Sequence, residues 1–155
     1  MKTKIFTLLL CLSHFCVVCG EDFSLQLNTG SANQAEISYD ATSGIYTIHT
    51  TGGDPFVSIT ALSSALPTNQ CVLTFDYQCM PETTGGLQVF FGPTYSETRS
   101  LRCDDLANTS EWTTYSIEMK NAISNFGWGA SGSVMRLDWG NRSDVTIQVK
   151  NLRFR

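Results

Sequence analysis

Val72-Leu73-Thr74-Phe75-Asp76-Tyr77-Gln78-Cys79 carries an apolar residue at every second position. In an extended chain successive side chains point to opposite faces, so Leu73, Phe75 and Tyr77 share one side. The same period recurs outward along the chain, in Leu87-Val89-Phe91, Tyr115-Ile117-Met119, Met135-Leu137-Trp139 and Ile147-Val149. Strands are predicted near 23–27, 35–40, 45–50, 56–60, 71–79, 86–92, 99–103, 112–119, 133–139 and 145–155. Turn-forming residues between Tyr39 and Tyr46 predict a hairpin there. Only 120–125 has the look of a short helix. All four prolines fall at strand edges or in connections, where a missing N–H does least harm. Ten short strands in one domain predict an all-β fold, an antiparallel β-sandwich of jelly-roll type.

The first twenty residues read differently. Lys2 and Lys4 form a basic start, Ile5 to Val18 is largely apolar, and Val18-Cys19-Gly20 precedes Glu21-Asp22. This is the layout of a secretory signal peptide over 1–20, with the cut after Gly20. Two other readings stay open: an ordinary N-terminal helix, and a lipoprotein anchored at Cys19. The apolar run is short for a membrane span, so no membrane insertion is expected. Residues 21–155 then form a single domain, secreted, periplasmic or held at the cell surface.

Charge and cysteine content narrow the functional classes. The chain has 10 bases against 14 acids; without Lys2 and Lys4, eight bases remain and the charge is −6. Scattered bases on an acidic domain argue against nucleic acid, which needs a clustered basic surface. Cys71, Cys79 and Cys103 lie beyond residue 20. Cys71 and Cys79 bracket one strand and would stand roughly 26 Å apart, out of disulfide reach. Pairing of one of them with Cys103, or three small buried side chains, both fit. No zinc-type Cys/His spacing occurs. Asp104-Asp105 offers oxygens for a structural calcium but lacks a ligand loop of fixed spacing; no other cofactor is implied.

Catalytic signatures are sparse. Past residue 20, His49 is the sole histidine, and it sits in a predicted strand. Nucleophile-elbow, zinc-protease and phosphate-loop motifs are missing. Glu97, Asp104, Asp105, Glu111 and Asp138 supply carboxylates. A glycoside hydrolase would need two of them facing each other across roughly 5–10 Å.

Strand parity places Asp76, Gln78, Gln88, Phe90, Thr114, Ser116, Glu118, Arg136 and Asp138 opposite the core. Planar polar groups beside a ring suit hydrogen bonding and stacking on a sugar; the same set also fits the solvated side of any antiparallel sheet. Among the aromatics, Trp139 has core parity. Trp112, after Thr109-Ser110-Glu111, either packs at the sandwich edge or stacks on ligand. Trp128, between Gly127 and Gly129, is expected to stand exposed in its loop, the other reading being a structural loop plug. Tyr95, with Arg99 close behind, reads either as a platform ring beside a hydrogen-bonding guanidinium or as a surface tyrosine with a solvated arginine. Asn108-Thr109-Ser110 and Asn141-Arg142-Ser143 match N-glycosylation sequons, which matter in a eukaryotic host.

The segments VLTFDYQC, LQVFFGPTYSETRS, TSEWTTYSIEM, FGWGASGSVMRLDWG and VTIQVKNLRFR together resemble the galactose-binding-like jelly-roll modules. These are accessory, carbohydrate-binding-module-like domains of secreted polysaccharide-processing proteins of Bacteroides-type bacteria. The resemblance runs from about Phe23 to Arg155. It implies a noncatalytic carbohydrate-binding role, with Tyr95, Arg99, Trp128 and Arg136 on the matching segments. Such modules usually precede a larger catalytic or binding domain, so the chain is either a free-standing module or part of a longer protein. The leading expectation is a secreted or surface module that binds an oligo- or polysaccharide through Tyr95, Arg99, Trp112, Trp128 and Arg136. The second is a structural or protein-interaction domain supporting a catalytic partner; the third, a glycosidase.

Overall fold

A computed structural model describes residues 21–155. The signal-peptide and Cys19 expectations lie outside the described residues. The strands are β1 (Phe23–Ser24), β2 (Ala35–Asp40), β3 (Ile45–Thr50), β4 (Phe56–Ser58), β5 (Val72–Met80), β6 (Leu87–Phe91), β7 (Ser100–Cys103), β8 (Thr109–Glu118), β9 (Met135–Asp138) and β10 (Thr146–Phe154). One helix, α1 (Lys120–Phe126), follows β8, and a single 3-10 turn (Glu97–Arg99) precedes β7.

Two antiparallel sheets form the sandwich expected from the period-two runs. One has the order β2-β3-β10-β5-β8, with β1 also on β10; the other has the order β4-β9-β6-β7. The hairpin across Tyr39–Tyr46 is present, with Tyr39 opposite Tyr46. The long pairings are nonlocal: β10 joins both β3 and β5, placing Ile147 against Ile48 and Cys79. Among the described residues, no helix is long and apolar enough to cross a membrane.

The alternation decides what fills the space between the sheets. Leu73, Phe75, Tyr77, Leu87, Val89, Phe91, Ile117, Met119, Met135, Leu137, Trp139, Ile147 and Val149 are all buried. Phe75 sits at the centre, stacked on Tyr115 at 5.4 Å and edge-on to Trp139 at 5.9 Å. Tyr115 is half-buried because its hydroxyl reaches out to donate to the Asp104 carbonyl at 2.7 Å; burial pushes its phenol up to about 12. Burial of each large apolar side chain contributes about 1.5–3 kcal/mol. Gly140 closes the end of β9: a Cβ there would lie 1.9 Å from the Thr84 carbonyl oxygen, and its φ is 101°. Only glycine allows the 84–86 and 139–141 loops to approach so closely.

The three cysteines past residue 20 are free thiols. Cys79 is wholly buried, and burial pushes it and Cys103 up to about 11. Cys79 packs in the core and Cys103 against it, as small apolar side chains. Among the described residues, no three His, Cys, Asp or Glu side chains gather as a cation site, Asp104-Asp105 included.

Phe75→Ala is predicted to cost about 3–5 kcal/mol, while Ser116→Ala, on an exposed face, stays within about 0.5 kcal/mol. Urea denaturation midpoints measure both; equal midpoints for the two variants would contradict this placement of the core.

Candidate functional site

The two sheets divide the outward-facing residues into separate surfaces. Asp76, Gln78, Thr114, Ser116 and Glu118 lie outside the larger sheet, on β5 and β8. Gln88, Phe90, Arg136 and Asp138 lie outside the smaller one, on β6 and β9. Register then lines the smaller sheet's outer face into two rows that run across its strands. Phe56, Asp138, Gln88 and Arg102 make the first. Ser58, Arg136, Phe90 and Ser100 make the second.

Arg136 is the centre of this face. The pleat puts it on the same side as Asp138, two residues on, and the two meet in a fork: Nε donates to Oδ1 and Nη2 to Oδ2, each at 2.6 Å. The guanidinium carbon lies 4.1 Å from the Phe56 ring centre, 4.5 Å from Phe90 and 5.8 Å from Tyr95. The pair is largely withdrawn from water, with side-chain exposures of 18% and 12%. Burial pushes the Asp138 carboxyl above the usual aspartate range, opposed by the bonds from Arg136. Phe90 has outward parity yet is buried, because the arginine covers it.

A second polar group stands at the edge of the face. Glu97, carried by the 3-10 turn, accepts from the Gln88 amide at 3.1 Å and pairs with Arg102 at 2.9 Å. The Gln88 amide also donates to the Ser100 hydroxyl at 2.8 Å. These bonds hold the Glu97 carboxyl below its ordinary range, the Gln88 bond first. Beyond Gln88 and Asp138 the face opens into a cleft of about 340 Å³, reached also by Asp54, Arg102 and Asn141. The arrangement offers fixed donors, acceptors and ring surfaces to a polar ligand that has some apolar area.

The five expected site residues do not converge. Arg136 and Tyr95 share this face. Trp112 belongs to the larger sheet's outer surface, where the Lys150 ammonium sits 3.9 Å above its ring. Arg99 is engaged with backbone. Its Nε donates to the Phe91 carbonyl, and its Nη2 donates to the Gly92 and Phe126 carbonyls, all at 3.2 Å. The exposed ring expected at Trp128 is overturned: the residue is 5% exposed. Gly127 ends α1 in the left-handed conformation, φ 59°, and turns the chain so that the indole enters the core. There its Nε1 donates to the Val134 carbonyl at 2.7 Å, and its ring meets Phe91 edge-on at 5.7 Å. The flanking glycines serve a helix stop rather than an exposed platform.

Phe56, Asp54 and Arg102 belong to the site and were not singled out in the sequence. Phe56 had a usable signal: with Val57 and Ile59 inside, its parity faces outward, as does Phe90. Two phenylalanines and an arginine thus stand at outward positions of three strands, β4, β6 and β9.

Comparison with known proteins bears on the fold. No protein-family model matches the chain, and no curated protein matches it. Among solved structures, a point mutant of a carbohydrate-binding module of family 29 aligns at 18% identity and TM-score 0.50, over 84% of this chain and 79% of that one. A family 29 module from Piromyces equi aligns at 15% identity and TM-score 0.49, over 86% and 85%. A further family 29 mutant, complexed with cellulohexaose, aligns at 13% and TM-score 0.48, over 84% and 79%. The β-sandwich fold is the content of this likeness.

Truncating one member of the withdrawn ion pair strands the other. Asp138→Ala is predicted to cost about 3–5 kcal/mol, against about 1 kcal/mol or less for Arg102→Ala in the exposed pair. Replacing both partners, Arg136→Met with Asp138→Leu, should recover most of the loss. Thermal and urea unfolding check this ordering; a double variant no more stable than Asp138→Ala would contradict it.

Proposed function

We propose that this protein is a noncatalytic carbohydrate-binding module whose site is the outer face of β4-β9-β6-β7. The observation that carries the proposal is the Arg136 guanidinium, forked on Asp138 and flanked by Phe56, Phe90 and Tyr95. Sugars present paired hydroxyls and apolar C–H faces, and such a surface answers both. Gln88, Glu97 and Arg102 add donors and acceptors at its edge. Because their geometry is already fixed by bonds within the protein, little ordering cost attends binding. The fold shared with a family 29 module supports the same reading.

The proposal places the module outside the cytoplasm, as the sequence of residues 1–20 suggests, and beside a polysaccharide-processing partner of the kind found with Bacteroides-type accessory domains. Trp128 and Arg99 are not assigned to this site, and Trp112 lies on the other surface.

A panel of neutral oligosaccharides, with polysaccharide retardation in gels, tests the assignment. Gln88→Ala and Tyr95→Ala are each expected to weaken binding about tenfold, the loss of roughly one hydrogen-bonded or stacked contact. Trp112→Ala should leave it unchanged. Binding that survives both face variants and falls with Trp112→Ala would move the site to the larger sheet. Silence across the panel from folded protein would favour an interaction domain.

A further inference from the structure

A second cleft, of about 520 Å³, lies between the loop after β6 and the segment after α1. It is lined by Pro93, Thr94, Arg99, Phe126, Ser131 and Val134 among others, and Arg99 is its one charged residue. Arg102, Arg136, Arg142 and Arg153 each meet a carboxylate; no ion pair among the described residues includes Arg99. Its guanidinium is nevertheless fixed in place. Three N–H bonds to backbone carbonyls hold one side of it, and it lies 5.3 Å from the centre of the Phe126 ring. Those bonds use Nε and Nη2. Nη1, with its two N–H groups, makes no hydrogen bond within the described residues and is not among the buried unpaired atoms.

We infer that this cleft binds a sugar carboxylate, the acidic group of a uronic acid residue, on Nη1 of Arg99. A positive charge held partly out of water against neutral carbonyls lacks the counter-ion that a carboxylate supplies, and bonds between two charged groups are about twice as strong as neutral ones. Neutral hydroxyls would leave that charge uncompensated. The Thr94 and Ser131 side chains offer hydroxyl partners, and Pro93 and Phe126 offer apolar surface, for the body of the residue. The Arg136 face has the opposite character. Asp54, Glu97 and Asp138 line its cleft against Arg102 and Arg136, so an acidic residue is disfavoured there.

The two sites adjoin. Tyr95 faces Arg136 from the same loop whose Pro93 and Thr94 line the second cleft. The choice of a sugar as bearer of the carboxylate rests on the function proposed above; the site's preference for an anion does not.

Oligogalacturonate and its fully methyl-esterified form, titrated by calorimetry at 150 mM salt, separate charge from shape; an Asp/Glu-rich peptide and a neutral oligosaccharide serve as the other arms. The acidic oligomer is expected to bind at least about tenfold more tightly than its ester. Arg99→Gln should abolish that preference; because it also frees the loop that carries Tyr95, intact neutral-sugar binding is required only of the next variant. Thr94→Glu keeps the carbonyl clamp and supplies a competing carboxylate, so it should have the same effect without disturbing the fold. Equal affinity for acid and ester, or a preference that survives Thr94→Glu, would overturn the inference. So would peptide binding as tight as that of the oligogalacturonate. Neutral binding lost with an intact acid preference would instead sink the Arg136 site alone.

Discussion

The fork between Arg136 and Asp138 is the interaction on which the candidate site depends. Two charges held this far from water are costly to desolvate, and the cost is met only by close geometry and additional contacts. Both are present: two bonds at 2.6 Å and a guanidinium packed against aromatic rings. The pleat makes the fork possible, since residues two apart on β9 project from one face while Met135 and Leu137 project into the core. The same alternation that builds the sandwich therefore builds its surface. An apolar replacement would pack as well, so the pair's value lies in the fixed polar geometry it presents.

The surroundings follow from that centre. Phe56 and Phe90 would be exposed rings on a sheet face, but the arginine covers them and turns an apolar patch into a planar, donor-bearing one. Tyr95 extends the stack from a loop, and Arg99 ties the base of that loop to the end of α1. A rigid sheet thus carries the centre of the site and a braced loop carries its rim. The close approach at Gly140 fixes the far wall of the cleft in the same manner.

Much of the fold was legible because its signal is local. Period-two alternation marked five of the strands, β5, β6, β8, β9 and β10, and it assigned Trp139 to the core and Arg136 to the surface. What alternation cannot encode is which strands share a sheet. β10 pairs with β1, β3 and β5, all distant in sequence, and β5 and β8 lie in one sheet while β6 and β9 lie in the other, so the outward residues looked like one face and are two. Loops escaped for a related reason. Gly127-Trp128-Gly129 reads as an exposed ring or as a structural plug of its loop, and tertiary burial of the indole chose the latter. Arg99 binds backbone carbonyls, which have no sequence signature, while Tyr95 faces Arg136. Trp112 lies on the other surface beneath Lys150, a contact made across the larger sheet that strand parity does not reveal.

The most direct test of the account is an amide chemical-shift map of isotope-labelled protein titrated with a neutral oligosaccharide it binds. Shifts are expected to concentrate at Phe56, Gln88, Phe90, Tyr95, Arg102 and Arg136, with little change at Trp112, Thr114 or Lys150. Shifts centred on Trp112 and Lys150, with a quiet Arg136 face, would contradict it.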